Sequence, residues 1–151
     1  TVTTLYFKKL YPMGVDALRK CVDLVASGEA RKTAQNHALA TYYPPCKAQH
    51  AAIRWFRPAE EVYALIRGCN PQPGAHTTYE GETLKLFDVT LSRTPEPGMH
   101  GTVLRVDASS FDVRLNGGVL TVKRVLAAGG KKEPAGEWAA RVGLTAGYRF
   151  R

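Results

Sequence analysis

The spacing of apolar residues changes character along this chain, and each change predicts an element. From Val15 through Leu18, Val22 and Val25 the apolar positions recur at helical spacing until Gly28 stops the run. Thr3 or Thr4 can cap the first turn, and Pro12 with Gly14 interrupts or kinks the segment. Residues Glu29 to Ala52 are polar and aperiodic, with Tyr42-Tyr43-Pro44-Pro45 in their middle, and read as an extended linker. A short helix follows. Pro58 stands at its start, where a missing N–H costs nothing, and Glu60 and Glu61 suit the positive end of its dipole. Val62, Leu65 and Ile66 share one face, and Gly68 is expected to end the helix in a left-handed conformation.

Beyond Asn70-Pro71 and Pro73-Gly74 the period shortens to that of strands. Thr77–Tyr79 and Thr83–Leu91 flank the tight-turn signal Glu80-Gly81-Glu82, and Leu84, Leu86 and Val89 supply apolar positions. Gly101–Asp107 and Phe111–Leu115 follow, and Asn116-Gly117-Gly118 opens a strand over Val119–Leu126. A short helix over Glu137–Val142 and a last strand at Tyr148-Arg149-Phe150 complete the chain. The expected fold is mainly β, α+β overall. It is a small, partly open barrel of the oligonucleotide/oligosaccharide-binding type with a late inserted helix. An N-terminal helical segment (1–28) and a linker (29–52) precede the barrel domain (53–151).

Composition adds a possible partner. The chain has 151 residues, 44% of them apolar, enough for a real core. Its formal net charge is +8, which favours polyanionic partners. Much of the excess lies in the last third. There Arg105, Arg114, Lys123, Arg124, Lys131, Lys132, Arg141, Arg149 and Arg151 face only Asp107, Asp112, Glu133 and Glu137. Such a surface can track phosphates with salt-dependent affinity; the plain alternative is a solvated face whose charges deter edge-to-edge pairing. Lys131-Lys132, in a Gly-rich loop, are the foremost candidates for contact. No apolar run is long enough to cross a membrane. Three widely spaced cysteines, Cys21, Cys46 and Cys69, fit a reducing compartment, hence a cytoplasmic protein, better than a disulfide framework. The chain begins at Thr1 without an initiator Met, so an upstream part is expected.

Other clusters have plainer explanations. Cys46, His50, Cys69 and His76 match no familiar zinc spacing. Phe111, Tyr148 and Phe150 alternate with basic residues, but core packing is their simpler job, as it is for Trp138. Trp55 and Phe56 are expected to anchor the linker to the barrel.

Five pieces in order carry a family resemblance. The segment IRWFRPAEEVYALIRGCNPQPGAHT, from Ile53 to Thr78, resembles the IDW-x-x-PAEEI…IRA-NPWPGA-like start of the C-terminal domain of formyltetrahydrofolate-dependent formyltransferases. Thr1–Gly28 looks like the last helical segment of that family's catalytic half, and Ala40-Thr41-Tyr42 like the opening of its linker. Gly117–Arg124 followed by Ala128-Gly129-Gly130-Lys131-Lys132 resembles its G-x-L…AGKK run, and Gly147–Phe150 its closing G-x-R-[LF]. Two departures stand out: Arg54 replaces the acid of IDW, and Gln72 the Trp of NPWPG. The LIRGCNPQPGA form, with the TVTTLY…YP…G entry, looks closer to the hydrolase half of formyltetrahydrofolate dehydrogenases and related formyltransferase-like proteins, whereas the AGGKK tail looks closer to methionyl-tRNA formyltransferases.

The resemblance implies a formyl group passing from 10-formyltetrahydrofolate to an amine, methionyl-tRNA among the choices, or to water. It places the catalytic Asn, His and Asp before Thr1. None of His37, His50, His76 and His100 stands in the Asn-x-His context, so no catalytic, cofactor-binding or metal-binding residue is assigned in this chain. The barrel would help present the acceptor, with Lys131, Lys132, Lys123, Arg124, Arg105 and Arg114 as candidate contacts. The implied partners are the catalytic half of the same protein and tRNA, with self-association through the apolar face of residues 15–25. The other readings are a free-standing nucleic-acid-binding barrel and a structural or oligomerisation domain.

Overall fold

The computed structural model describes all 151 residues and divides into two units, Val2–Pro45 and a compact one dominated by Cys46–Arg151. In the first, helix α1 (Val2–Leu5) runs through a π-helical turn, Tyr6–Leu10, into helix α2 (Tyr11–Ala26). Pro12 lies in the first turn of α2, immediately after the widened turn. A proline inside a helix lacks its own N–H and crowds the carbonyl four residues back, so the ladder is re-registered there and does not break. None of the side chains of α1 or α2 is buried. Within 29–45 only His37–Leu39 is regular, a 3-10 turn whose first residue follows Asn36; the Asn36 side chain accepts the Ala38 N–H.

The compact unit is a curled antiparallel sheet carrying two helices. Its strands are β1 (His76–Tyr79), β2 (Glu82–Ser92), β3 (Val103–Val106), β4 (Phe111–Leu115), β5 (Gly118–Ala127) and β6 (Glu133–Pro134). They run in the order β1-β2-β5-β4-β3, with β6 pairing β5. Glu80 and Gly81, both at positive φ, form the two-residue turn between β1 and β2. The Asn116-Gly117 turn joins Leu115 directly to Gly118.

Both long strands change the parity of their inward positions at the same place. On β2 the burial of Leu84 and Leu86 passes to the half-buried Val89 and Leu91; on β5 Leu120 and Val122 are followed by Val125. Asp88, held at φ 51, sits at this corner. Such a break lets one sheet curl on itself toward a barrel.

Helix α3 (Ala59–Gly68) lays Ala59, Val62 and Ile66 on the sheet. Gly68 is helical and Cys69, at φ −89, caps the helix; the left-handed glycine comes later, at Gly74. The expected left-handed stop at Gly68 is therefore corrected. The chain leaves α3 through its hydrogen-bonded cap, the Cys69 N–H donating to the Leu65 carbonyl, and needs no glycine there.

Helix α4 (Ala135–Val142) buries Trp138, whose ring lies 5.1 Å from Tyr79 and 6.1 Å from Phe111. Phe111 also lies 5.9 Å from Phe150, which stacks on Trp55 at 5.6 Å. Trp55 thus anchors the incoming chain, and its Nε1–H donates to Thr77 Oγ1 at 3.0 Å. Phe56, expected to share that role, is exposed.

The expected last strand is a single bridge, Thr102 to Arg149, rather than a regular strand. It still joins the sheet: Val103 N–H donates to Tyr148 O, Gly147 N–H to Val103 O and Phe150 N–H to Gly101 O. On its other side Thr77 Oγ1 donates to Arg151 O at 3.1 Å. The C-terminal segment therefore lies between β3 and β1 and narrows the barrel's open seam.

A candidate nucleic-acid interface

The six cationic candidates fall into two groups. Arg105 and Arg114 occupy outward positions of β3 and β4, opposite Asp112 and Val119 respectively. Lys123 and Arg124 sit at the corner of β5, and β6 brings Lys131 and Lys132 back beside them by pairing Arg124 with Pro134. A turn built on Gly129 at φ 70, closed by Gly130 N–H to Ala127 O, makes that return possible.

Their neighbours decide how much charge each leaves for a partner. Arg105 donates to Asp112 Oδ2 at 2.9 Å and lies 3.2 Å from Asp107. Asp112 is itself nearly buried and accepts from Thr121 Oγ1 at 2.6 Å. Arg114 is also committed: its Nε donates to the Glu96 carbonyl, and its Nη1 lies 2.8 Å from His100 Nδ1. Arg124 donates to the Lys132 carbonyl at 3.4 Å, with Asp88 at 3.8 Å. The Lys132 ammonium sits 3.7 Å from the centre of the Phe87 ring, a cation–π contact that holds it in place without cancelling its charge. Lys123 and Lys131 are exposed and have no carboxylate within ion-pair distance. Among the six candidates, the uncompensated charge thus lies at the β5–β6 corner.

Phe87 is the part of this arrangement that the strand pattern concealed. It is buried although it follows the inward Leu86, being covered by Lys132 and by the turn at Gly74. Lys85 Nζ pins that turn by donating to Pro73 O at 2.9 Å. Two adjacent buried residues in a strand signal a parity break, but only the fold reveals which side each faces.

An open groove of about 530 Å³ beside α3 is lined by His50, Arg54, Arg57, Glu61 and Leu65 among others. There Arg57 is tied to Glu61 at 2.5 Å, and His50 Nδ1 accepts the Lys47 N–H at 3.1 Å. No group of three or more His, Cys, Asp or Glu side chains is placed to hold a metal ion. Phe111 and Phe150 are buried in the core and offer no stacking platform. No helix is long and apolar enough to cross a membrane.

The family model described as formyl transferase, C-terminal domain, matches residues 45–143. The chain belongs to that family. It is 38% identical, over 84% of its length, to the methionyl-tRNA formyltransferase of Moorella thermoacetica. It is 32% identical, over 91% of its length, to the cytosolic 10-formyltetrahydrofolate dehydrogenase of Xenopus laevis. The chain spans 41% of the first relative and 16% of the second. Among solved structures, HypX from Aquifex aeolicus in complex with tetrahydrofolic acid matches 84% of the chain and 22% of its own, with a TM-score of 0.68. At 15% identity that likeness concerns the fold alone. This formyl transferase C-terminal domain therefore has relatives named for different reactions.

Proposed function

We propose that this formyl transferase C-terminal domain presents a tRNA-borne amine to a catalytic half that transfers the formyl group of 10-formyltetrahydrofolate. The observation that carries the reading is the uncompensated charge of Lys123, Lys131 and Lys132 on one corner of the barrel, in a family whose relatives include methionyl-tRNA formyltransferases. Phosphates neutralised there would release counterions, giving affinity that falls steeply with salt. The reaction itself needs the amine to attack the formyl carbon and the folate nitrogen to leave. In this reading the groups for those steps belong to the catalytic half of the parent protein, and this domain's part is to hold and orient the acceptor. A half-fixed cation such as Lys132, already ordered by Phe87, loses less freedom on binding than a free lysine. In the same reading the exposed apolar residues Leu18, Val22 and Val25 of α2 pack within the catalytic half of the parent protein.

The test is binding of the purified chain to tRNA between 50 and 200 mM salt, read by fluorescence anisotropy. Lys123→Ala and Lys131→Ala should each weaken binding and flatten the log K against log salt plot by roughly one unit of slope. Arg105→Ala should change little, because that guanidinium is already committed to Asp107 and Asp112. Absence of tRNA binding at 50 mM salt, or equal effects from all three substitutions, would reject the proposed surface.

A further inference from the structure

Cys46 and Cys69 lie 23 positions apart in sequence, yet their sulfurs are 4.0 Å apart. Both belong to fixed backbone. Cys69 is the C-cap of α3, its N–H donating to Leu65 O and its carbonyl accepting from Gly74 N–H at 2.9 Å. Cys46 immediately precedes Lys47, which with His50 forms a reciprocally hydrogen-bonded cap on the 3-10 turn Ala48–Ala51. The turn ends in the fully buried Ala51. Cys69 is buried and Cys46 is exposed.

Other roles account for only one member of the pair. A buried thiol that merely packs, as a small apolar group would, explains Cys69 and leaves the exposed Cys46 without a purpose. A metal site fails for want of further ligands, since His50 Nδ1 is held by Lys47 and no suitable cluster exists.

We propose that Cys46 and Cys69 form a reversible disulfide site, closed by hydrogen peroxide and opened by a dithiol reductant. The reading is independent of the formyl acceptor and of tRNA. Its chemistry balances in two steps. The exposed Cys46 thiolate attacks hydrogen peroxide, the O–O bond breaks, and Cys46 becomes a sulfenic acid while the leaving hydroxide takes up a proton as water. The Cys69 sulfur then attacks the Cys46 sulfur, the S–OH bond breaks, and a second water leaves with the Cys69 proton. A dithiol reverses the result by two thiol–disulfide exchanges and is itself oxidised.

Geometry asks little of this step: the sulfurs must close from 4.0 Å to a bond of about 2.05 Å, and the exposed Cys46 side chain is free to turn inward. Burial, reinforced by the nearby Cys46, pushes the Cys69 thiol up to about 11, so Cys69 stays protonated and acts second. The closed bond would fasten the first residues of the compact unit to the far end of α3.

The test uses the whole chain carrying Cys21→Ser, so that the remaining exposed cysteine cannot cross-link copies. Brief hydrogen peroxide treatment should lower the intact mass by about 2 Da, the two hydrogens lost on disulfide formation. A non-reducing peptide map should then join the peptides of Cys46 and Cys69. Oxidation should raise the melting temperature by about 10–15 °C, the scale expected for closing a loop of this length, and dithiothreitol should restore the original value. With Cys69→Ala in the same background, Cys46 has no partner and should advance to the sulfinic acid. Oxidation of Cys46 to sulfinic acid while Cys69 is present and unmodified would overturn the proposal, as would a joined peptide that lacks Cys69.

Discussion

Single glycines report what the backbone requires at their positions, and two of them make opposite predictions here. Gly68 is helical, with no atom within 4 Å of where a Cβ would stand. Gly68→Ala should therefore stabilise the domain by about 0.4–1 kcal/mol, by restricting the unfolded chain and favouring helix. Had the residue been left-handed, as its place at the end of an apolar run implied, the same change would destabilise. A urea titration distinguishes the two by the sign of the shift in midpoint. Gly136, in the first turn of α4, is the converse case. A Cβ there would run into the backbone of Asp107 and Ala108, so Gly136→Ala should cost about 2 kcal/mol or more as overpacking against main chain. The sequence marks both as glycines near helix ends; only the packing separates the replaceable one from the required one.

Elements are joined in this fold by a few polar contacts whose behaviour can be read directly. Arg141 of α4 grips Glu133 of β6 with two hydrogen bonds, of 2.6 and 2.7 Å. Those bonds, and then the guanidinium charge, hold the Glu133 carboxyl below its ordinary 4.5. A carboxyl depressed in the folded state adds stability above its unfolded value, and loses it as pH falls through the folded one. The stability gap between the wild-type chain and Glu133→Gln should therefore be present at pH 7 and shrink below pH 4.5, as followed by thermal melts across that range. A gap that widened in acid would contradict the assigned pairing.

At this scale the sequence was legible wherever an element is local. Strands β1 to β5, their turns and both helices of the barrel stand within a few residues of their expected places, because alternation, Asn116-Gly117 and Pro58-start signals act over short stretches, whereas β6 was not expected and the expected last strand is a single bridge. The corner at Asp88 and the burial of Phe87 were not legible. They depend on β5 and the Gly74 turn, which lie far off in sequence.

For the molecule as a whole, the apolar stripe of α2 and the charged corner of the barrel pose different problems. Leu18, Val22 and Val25 are more than half exposed, and a face of this kind favours association. The isolated chain should sediment above monomer mass, and Leu18→Lys combined with Val22→Lys should return it to monomer in analytical ultracentrifugation. Unchanged sedimentation would assign the association to another surface. The amino-acid sequence by itself determined the α+β class, the family and the excess of positive charge, since each resides in residue types and short-range spacing. Tertiary structure decided which charges are spent inside the domain. Arg105 and Arg114 are engaged by Asp107, Asp112, Glu96 and His100, while Lys123 and Lys131 are left to solvent. It also decided that Cys46 meets Cys69 and that the C-terminal segment narrows the seam between β3 and β1. These contacts join residues remote in the chain, and Coulomb, hydrogen-bond and packing forces act on distance in space, which the order of residues alone does not contain.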